Sequence, residues 1–211
     1  MVSGPRSRKP TSPSRAANSQ EISLLTTGFK LTRKGITATL EPGERDLLRG
    51  LFADVAGMLE PETPSHEDPL AALVGLDASA EVPGDPALLR LLPDGVQGND
   101  DDALEFRRLT ERSLREGKIG ALRAASMALE SNPVHLDAEQ ARHFARALND
   151  VRLVLGTRLG LATDEDAEAL HSITEPADAR DVDEYLALVY NFATWLQETL
   201  MKALLETLPA E

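Results

Sequence analysis

Asn149, Asp150, Arg152 and Arg158, joined by Gln197 further along, are the residues whose types and spacing offer chemistry in this chain. A guanidinium keeps its charge and presents a rigid fork of donors, so it must meet a carboxylate, backbone carbonyls or water. Such a seam can hold an anion or the carboxylate of a partner. It can also serve the fold, with Arg152 running along a core margin to an acid on the last helix and Arg158 capping the last carbonyls of its own helix. The structural role is the commoner one for charges beside a core.

The element that must position this seam is a helix from about Asp137 to between Gly156 and Gly160. At 3.6 residues per turn Phe144, Leu148, Val151, Leu155 and Leu159 form one stripe, widened by Ala147 and Val154. Arg152 falls on the opposite margin, beside Ala145, Gly156 and Asn149. A last helix, from about Ala177 to Thr207, has the spine Val182, Leu186, Val189, Ala193, Leu196, Leu200 and Leu204. Gln197 lies inside its apolar arc. Trp195 projects on the other side with Leu188 and Phe192, a patch that suits burial between helices or, alternatively, a dimer or partner interface.

Other chemistry finds little support. There is no Gly-x-Gly-x-x-Gly, Gly-Lys-Ser/Thr, Gly-x-Ser-x-Gly or His-Glu-x-x-His pattern. Glu139 and His143 at i,i+4 make at most half a metal site, His66-Glu67-Asp68 reads as a loop, and His135 and His171 lack companions. Asp100–Asp102 lacks the spacing and glycine of a calcium loop. The adjacent Arg107 and Arg108 read as a solvated, ion-paired face with Glu105, Glu111, Arg112 and Glu116. No cofactor and no metal are expected, and an enzyme is left without positive support.

Composition narrows the class. Aromatics are only 4% of 211 residues, so helix-forming aliphatics and alanine dominate. The absence of cysteine excludes disulfides, thiolate metal sites and cysteine nucleophiles. With no membrane-length apolar run and no secretory h-region, the expectation is a soluble cytoplasmic protein. Residues 1–40 hold seven Lys or Arg against one Glu, net +6; residues 41–211 hold fifteen against thirty-four, net −19. An acidic body repels phosphate backbones. Only Arg6, Arg8, Lys9 and Arg15, with Lys30, Arg33 and Lys34 after them, could reverse that locally; the alternative is a flexible solubilising tail.

The expected fold is mainly α, a helical bundle-like domain with an N-terminal β-hairpin. Residues 1–27 read as a disordered basic arm and 28–208 as a single domain, with the hairpin at 28–40 around Arg33-Lys34-Gly35. An isolated ribbon is marginal, so it must lie on the helical body or pair with another chain. A helix opens at Pro42, a linker covers 60–68, and short helices are expected near 69–76 and 86–92. Asn99 caps a helix to about Glu116, with Gly117 or Gly120 interrupting it before 121–130. Thr163 opens a short helix to Ser172.

The segment Leu148-Asn-Asp-Val-Arg-Leu-Val-Leu-Gly-Thr-Arg-Leu-Gly160 resembles an actinobacterial family, the domain of unknown function numbered twenty-seventeen. Leu40-Glu-Pro-Gly-Glu-Arg-Asp-Leu-Leu-Arg49, Asp85-Pro-Ala-Leu-Leu-Arg-Leu-Leu-Pro-Asp94, Glu105-Phe-Arg-Arg-Leu-Thr110 and Trp195-Leu-Gln-Glu198 extend the resemblance over about residues 28–205. The resemblance implies genes beside the adaptor that feeds the Clp protease and near a JAMM-type metalloprotease, hence a link to proteolysis. It carries no catalytic residues. Some members bear the label of transcriptional regulator, which the acidic body does not favour. The expectation is a non-catalytic protein-interaction or regulatory factor with a protein partner, and a homodimer through the Trp195 face is open. The alternative is a nucleic-acid-linked regulator using the arm and hairpin.

Overall fold

The front of the molecule is built by the alternation around Arg33-Lys34. Strand β1 (Thr27–Thr32) turns through Gly35, whose φ of 105° suits a residue without a Cβ, and returns as β2 (Gly35–Thr39). A methyl at Gly35 would lie 2.8 Å from the Leu136 carbonyl oxygen, so the close approach excludes a side chain too. The computed structural model describes residues 26–60, 81–161 and 181–208. The expected arm up to Leu25, the short helices near 69–76 and from Thr163 to Ser172, and the start of the last helix at 177–180 lie outside them, with His66 and His171.

The hairpin does lie on the helical body, and it gains a third strand. Val134–Leu136 (β3) pairs antiparallel with β2, giving the order β1-β2-β3. On the outer side of β1 the Phe29 amide donates to Thr199 Oγ1 at 3.1 Å. The strand edge is thereby tied to a helix rather than left open to another chain.

Five helices complete the described residues: α1 (Pro42–Leu59), α2 (Pro86–Leu91), α3 (Asp100–Ala128), α4 (Ala138–Arg158) and α5 (Val182–Leu205). Their starts are chemical. Asn99 accepts from the Asp101 and Asp102 amides, and Asp137 and Gln140 form a capping box. The end of α4 is equally specified: Gly160 at φ 70° lets the Leu161 amide donate to the Gly156 carbonyl and its own amide to that of Thr157, a Schellman motif.

Helix α3 runs unbroken through Gly117 and Gly120, against the expected interruption. Each glycine costs about 1 kcal/mol relative to alanine. The Asn99 cap, the acidic first turn and packing against α1 and α4 outweigh that. A Cβ at Gly117 would meet nothing within 4 Å. Gly117→Ala should therefore raise stability by ~1 kcal/mol in urea unfolding; unchanged or lower stability would show that the backbone there needs glycine.

Helix α4 is the hub, touching α3, α5, α2, α1 and both β2 and β3. Its Ala141, Phe144, Ala147, Leu148 and Val151 are fully buried, as the periodicity predicts. Phe144 meets Phe29 and Phe52 edge-on, at 5.2 and 5.6 Å between ring centres. One aromatic cluster thus joins the sheet, α1 and α4. On α5 the expected spine is buried at Val189, Ala193, Leu196 and Leu200, but Val182 in the first turn is exposed.

Arg107 corrects the solvated-face reading of the Arg107-Arg108 pair. Its side chain is only 4% exposed, and it bonds Glu111 at 2.6 Å, Asp94 at 2.7 Å and the Leu92 carbonyl at 3.0 Å. Glu111 also binds Arg115, whose guanidinium reaches the Leu59 carbonyl at 2.9 Å. This chain of charges fastens α3 to the ends of α1 and α2. Arg108, beside Glu105, and Arg112, beside Glu116, keep the exposed ion-paired role.

Candidate functional site

Along α3 the residues Thr110, Ser113, Leu114, Gly117, Lys118 and Ala121 share one face, at spacings of three and four. Most are small. Opposite them α4 presents Ala145, Arg146, Asn149 and Asp150, and α5 contributes Gln197. The helices cannot close over such short side chains, and an open groove of about 810 Å³ remains, rimmed by Leu109 and Leu114. Leu109 is 53% exposed and Leu114 41%.

The floor is polar. The Lys118 ammonium lies 2.6 Å from Asp150, whose side chain is only 3% exposed. Burial raises the Asp150 carboxyl above its ordinary 3.8; the hydrogen bond and charge of Lys118, with a bond from Asn149, act in the opposite direction without cancelling it. Because the folded value exceeds the unfolded one, this contribution to stability is fully present below 3.8 and is lost as pH rises through the folded value. Asp150→Asn, which can still accept from Lys118, should flatten the stability profile from acidic to neutral pH. Parallel urea midpoints for the two proteins across that range would contradict a raised carboxyl.

Behind the groove the Arg152 cation is held by uncharged acceptors. Nε donates to Thr194 at 2.8 Å, one terminal nitrogen to Gln197 Oε1 at 2.6 Å, and the other to the Tyr190 hydroxyl at 3.3 Å. The guanidinium also lies 5.3 Å from the centre of the Tyr190 ring. The expected acid on the last helix is not its partner; hydroxyl and amide oxygens satisfy it instead. Gln197 donates in turn to the Ala145 carbonyl at 3.4 Å, so Arg152 fixes a groove residue from the rear.

Arg158 stands apart from this group. It pairs with Asp85 at 2.6 Å and so ties the end of α4 to the N-cap of α2, rather than capping its own helix. The Ala87 amide first, then Arg158, holds the Asp85 carboxyl below its usual range. Trp195, Leu188 and Phe192 also lie elsewhere. Trp195 is 39% exposed and stacks on Phe192 at 6.1 Å, and two residues of helix place it nearly opposite Gln197.

The structure therefore brings together Asn149, Asp150 and Gln197, with Arg152 in support, and leaves Arg158 and the Trp195 patch outside. Sequence reasoning missed Lys118, Arg146 and the α3 wall. The small-residue stripe at helical spacing was the available signal. Among the described residues no cluster of three His, Asp or Glu side chains could hold a metal, and no helix is long and apolar enough to cross a membrane.

Comparison with known proteins places the chain. It is 32% identical over 189 residues to the AosR protein of Mycobacterium leprae, covering 81% of this chain and 82% of that relative. The oxidative stress regulator AosR of Mycobacterium tuberculosis is 34% identical over 147 residues, covering 61% and 67%; that of Mycobacterium bovis matches to the same extent. No solved structure matches. The model of a domain of unknown function, DUF2017, matches residues 26–204. The groove, its ion-paired floor and the sheet that braces α5 all lie within that span, and the chain belongs to the DUF2017 family.

Proposed function

We propose that this protein is a non-catalytic, cytoplasmic regulatory factor that works by holding a segment of a partner protein in the groove between α3, α4 and α5. One observation carries the reading: a wide groove with exposed leucines, whose one acidic side chain is buried and already engaged by Lys118. The naming of mycobacterial relatives as oxidative stress regulators supports a regulatory role. The resemblance to genes neighbouring the Clp adaptor makes proteolysis the process to which such regulation would attach.

A cysteine thiol switch has no place here, because these 211 residues contain no cysteine. A thiol-specific oxidant such as diamide should leave the purified protein's partner binding unchanged; loss of binding on treating this protein alone would contradict the reading. The site itself is tested with Gly117→Leu, which fills the groove from a position where a Cβ meets nothing. Partners retained from lysate by the wild type should be lost by this variant while its melting temperature holds. Retention of the same partners by Gly117→Leu would remove the groove from the account.

A second reading rests on the hairpin tip. Lys30, Arg33 and Lys34 are exposed, and no carboxylate pairs with them among the described residues. With the basic residues before Gly28 they could contact phosphates, as in a nucleic-acid-linked transcriptional regulator. Gel shifts over a salt series decide it: salt-sensitive binding that vanishes on deleting residues 1–25 supports this reading, and no shift at low salt ends it.

A further inference from the structure

The charge left unpaired in the groove is opposite in sign to that of the whole chain. Three charged side chains line it: Lys118, Arg146 and Asp150. Asp150 is buried and neutralised by Lys118 at 2.6 Å. Arg146 is exposed, and among the described residues no acid lies within ion-pair distance of it. Arg142, one turn earlier on α4, is likewise exposed and forms no ion pair among the described residues. The chain as a whole carries a net charge of −13. A groove whose free charge is cationic favours an anionic segment.

Shape restricts the occupant further. From Leu109 to Ala121 the α3 wall is about 18 Å long at 1.5 Å per residue. Both long walls are helices whose backbone groups are spent on their own bonds. An extended peptide laid there would find no main-chain partners, as it would on a sheet edge. A helix satisfies its own backbone and presents side chains only, which is what these walls can receive. About three turns fit the length.

We infer that the groove takes an acidic amphipathic helix of a partner protein, with its apolar stripe against Leu109 and Leu114 and a carboxylate on Arg146. This rests on the reading of the groove as a partner site and adds the partner's chemistry. Gly117 leaves room for the apolar stripe to approach the α3 backbone. Asn149, exposed beside the Lys118–Asp150 pair, offers an amide to a polar residue on the margin of the helix.

The test uses the full chain and two labelled synthetic helical peptides of about twelve residues, matched to the groove length. Both carry leucines at i, i+3, i+7 and i+10; one has glutamates flanking them and the other lysines. By fluorescence anisotropy the glutamate peptide should bind the wild type, and Arg146→Glu should weaken it about tenfold or more while improving the lysine peptide. Gly117→Leu should abolish binding of the glutamate peptide with the fold retained. Equal binding of both peptides, no binding of the glutamate peptide, or undiminished binding by Gly117→Leu overturns the inference. So does sedimentation showing that the groove is filled by a second copy of this chain. If Gly117→Leu loses the lysate partners but the wild type ignores the glutamate peptide, the partner chemistry is wrong and the site stands. If neither protein discriminates in either assay, both fail.

Discussion

Glu111→Ala should lower stability by about 3–5 kcal/mol, a large part of the total for a protein of this size. The carboxylate is 4% exposed and sits between Arg107, 2.6 Å away, and Arg115, 2.7 Å away. Removing it leaves Arg107 in a site that is 4% exposed, with Asp94 and the Leu92 carbonyl as its remaining partners. The other anion, Asp94, is 45% exposed and screened by water, so it offsets only part of the loss. The control is Arg123→Ala, whose pair with Glu60 is 68% and 57% exposed; it should change stability by no more than about 0.5 kcal/mol. Replacing Arg107, Glu111 and Arg115 together by Met, Leu and Met should recover most of the loss, since apolar groups need no partners. Urea unfolding of the set decides it. A mild Glu111→Ala phenotype would mean that water reaches the cluster.

Phe144→Ala should cost about 3–5 kcal/mol, the range for emptying a core aromatic site. The ring is fully buried and touches Phe29 of β1 and Phe52 of α1 edge-on. Its loss opens a cavity where three elements meet, and α4 is too constrained by its neighbours to collapse into it. Because β1 is tied to α5 through Thr199, loosening Phe29 should also speed amide exchange at Phe29. Phe144→Leu, which fills more of the space, should cost less than half as much. A Phe144→Ala protein that unfolds at the wild-type urea concentration would show that the core relaxes around the gap.

Much of this architecture was legible because its signals are local. The α4 stripe and its start near Asp137, the Asn99 cap, Pro42 at the start of α1 and the turn at Gly35 each depend on residues a few positions apart. The failures have a common cause. Three residues, Val134-His-Leu136, are too few to display alternation, so β3 appears only once β2 is beside it. Gly117 and Gly120 look like breaks until the cap and packing of α3 are weighed against them. Arg107 and Arg108 are indistinguishable in sequence; one turns to the ends of α1 and α2 and the other to water.

The site was legible by half for the same reason. Asn149, Asp150 and Gln197 were reached by asking which polar side chains border an apolar stripe. Lys118 could not be joined to Asp150, since the two are separated by 32 positions and meet only because α3 crosses α4. Arg152 was rightly seen as needing partners, but hydroxyls and an amide meet that need as well as an acid does. Arg158 shares the helix without sharing the groove.

Site-directed photo-crosslinking in cells is the most direct test. A photoreactive phenylalanine analogue placed at Ser113, on the groove wall, should capture a partner protein as a discrete adduct. The same residue at Met127, 69% exposed near the end of α3 and away from the groove lining, should not. Adducts of equal yield at both positions, or none at Ser113 while the protein still retains its partners, would contradict a recognition groove between α3, α4 and α5.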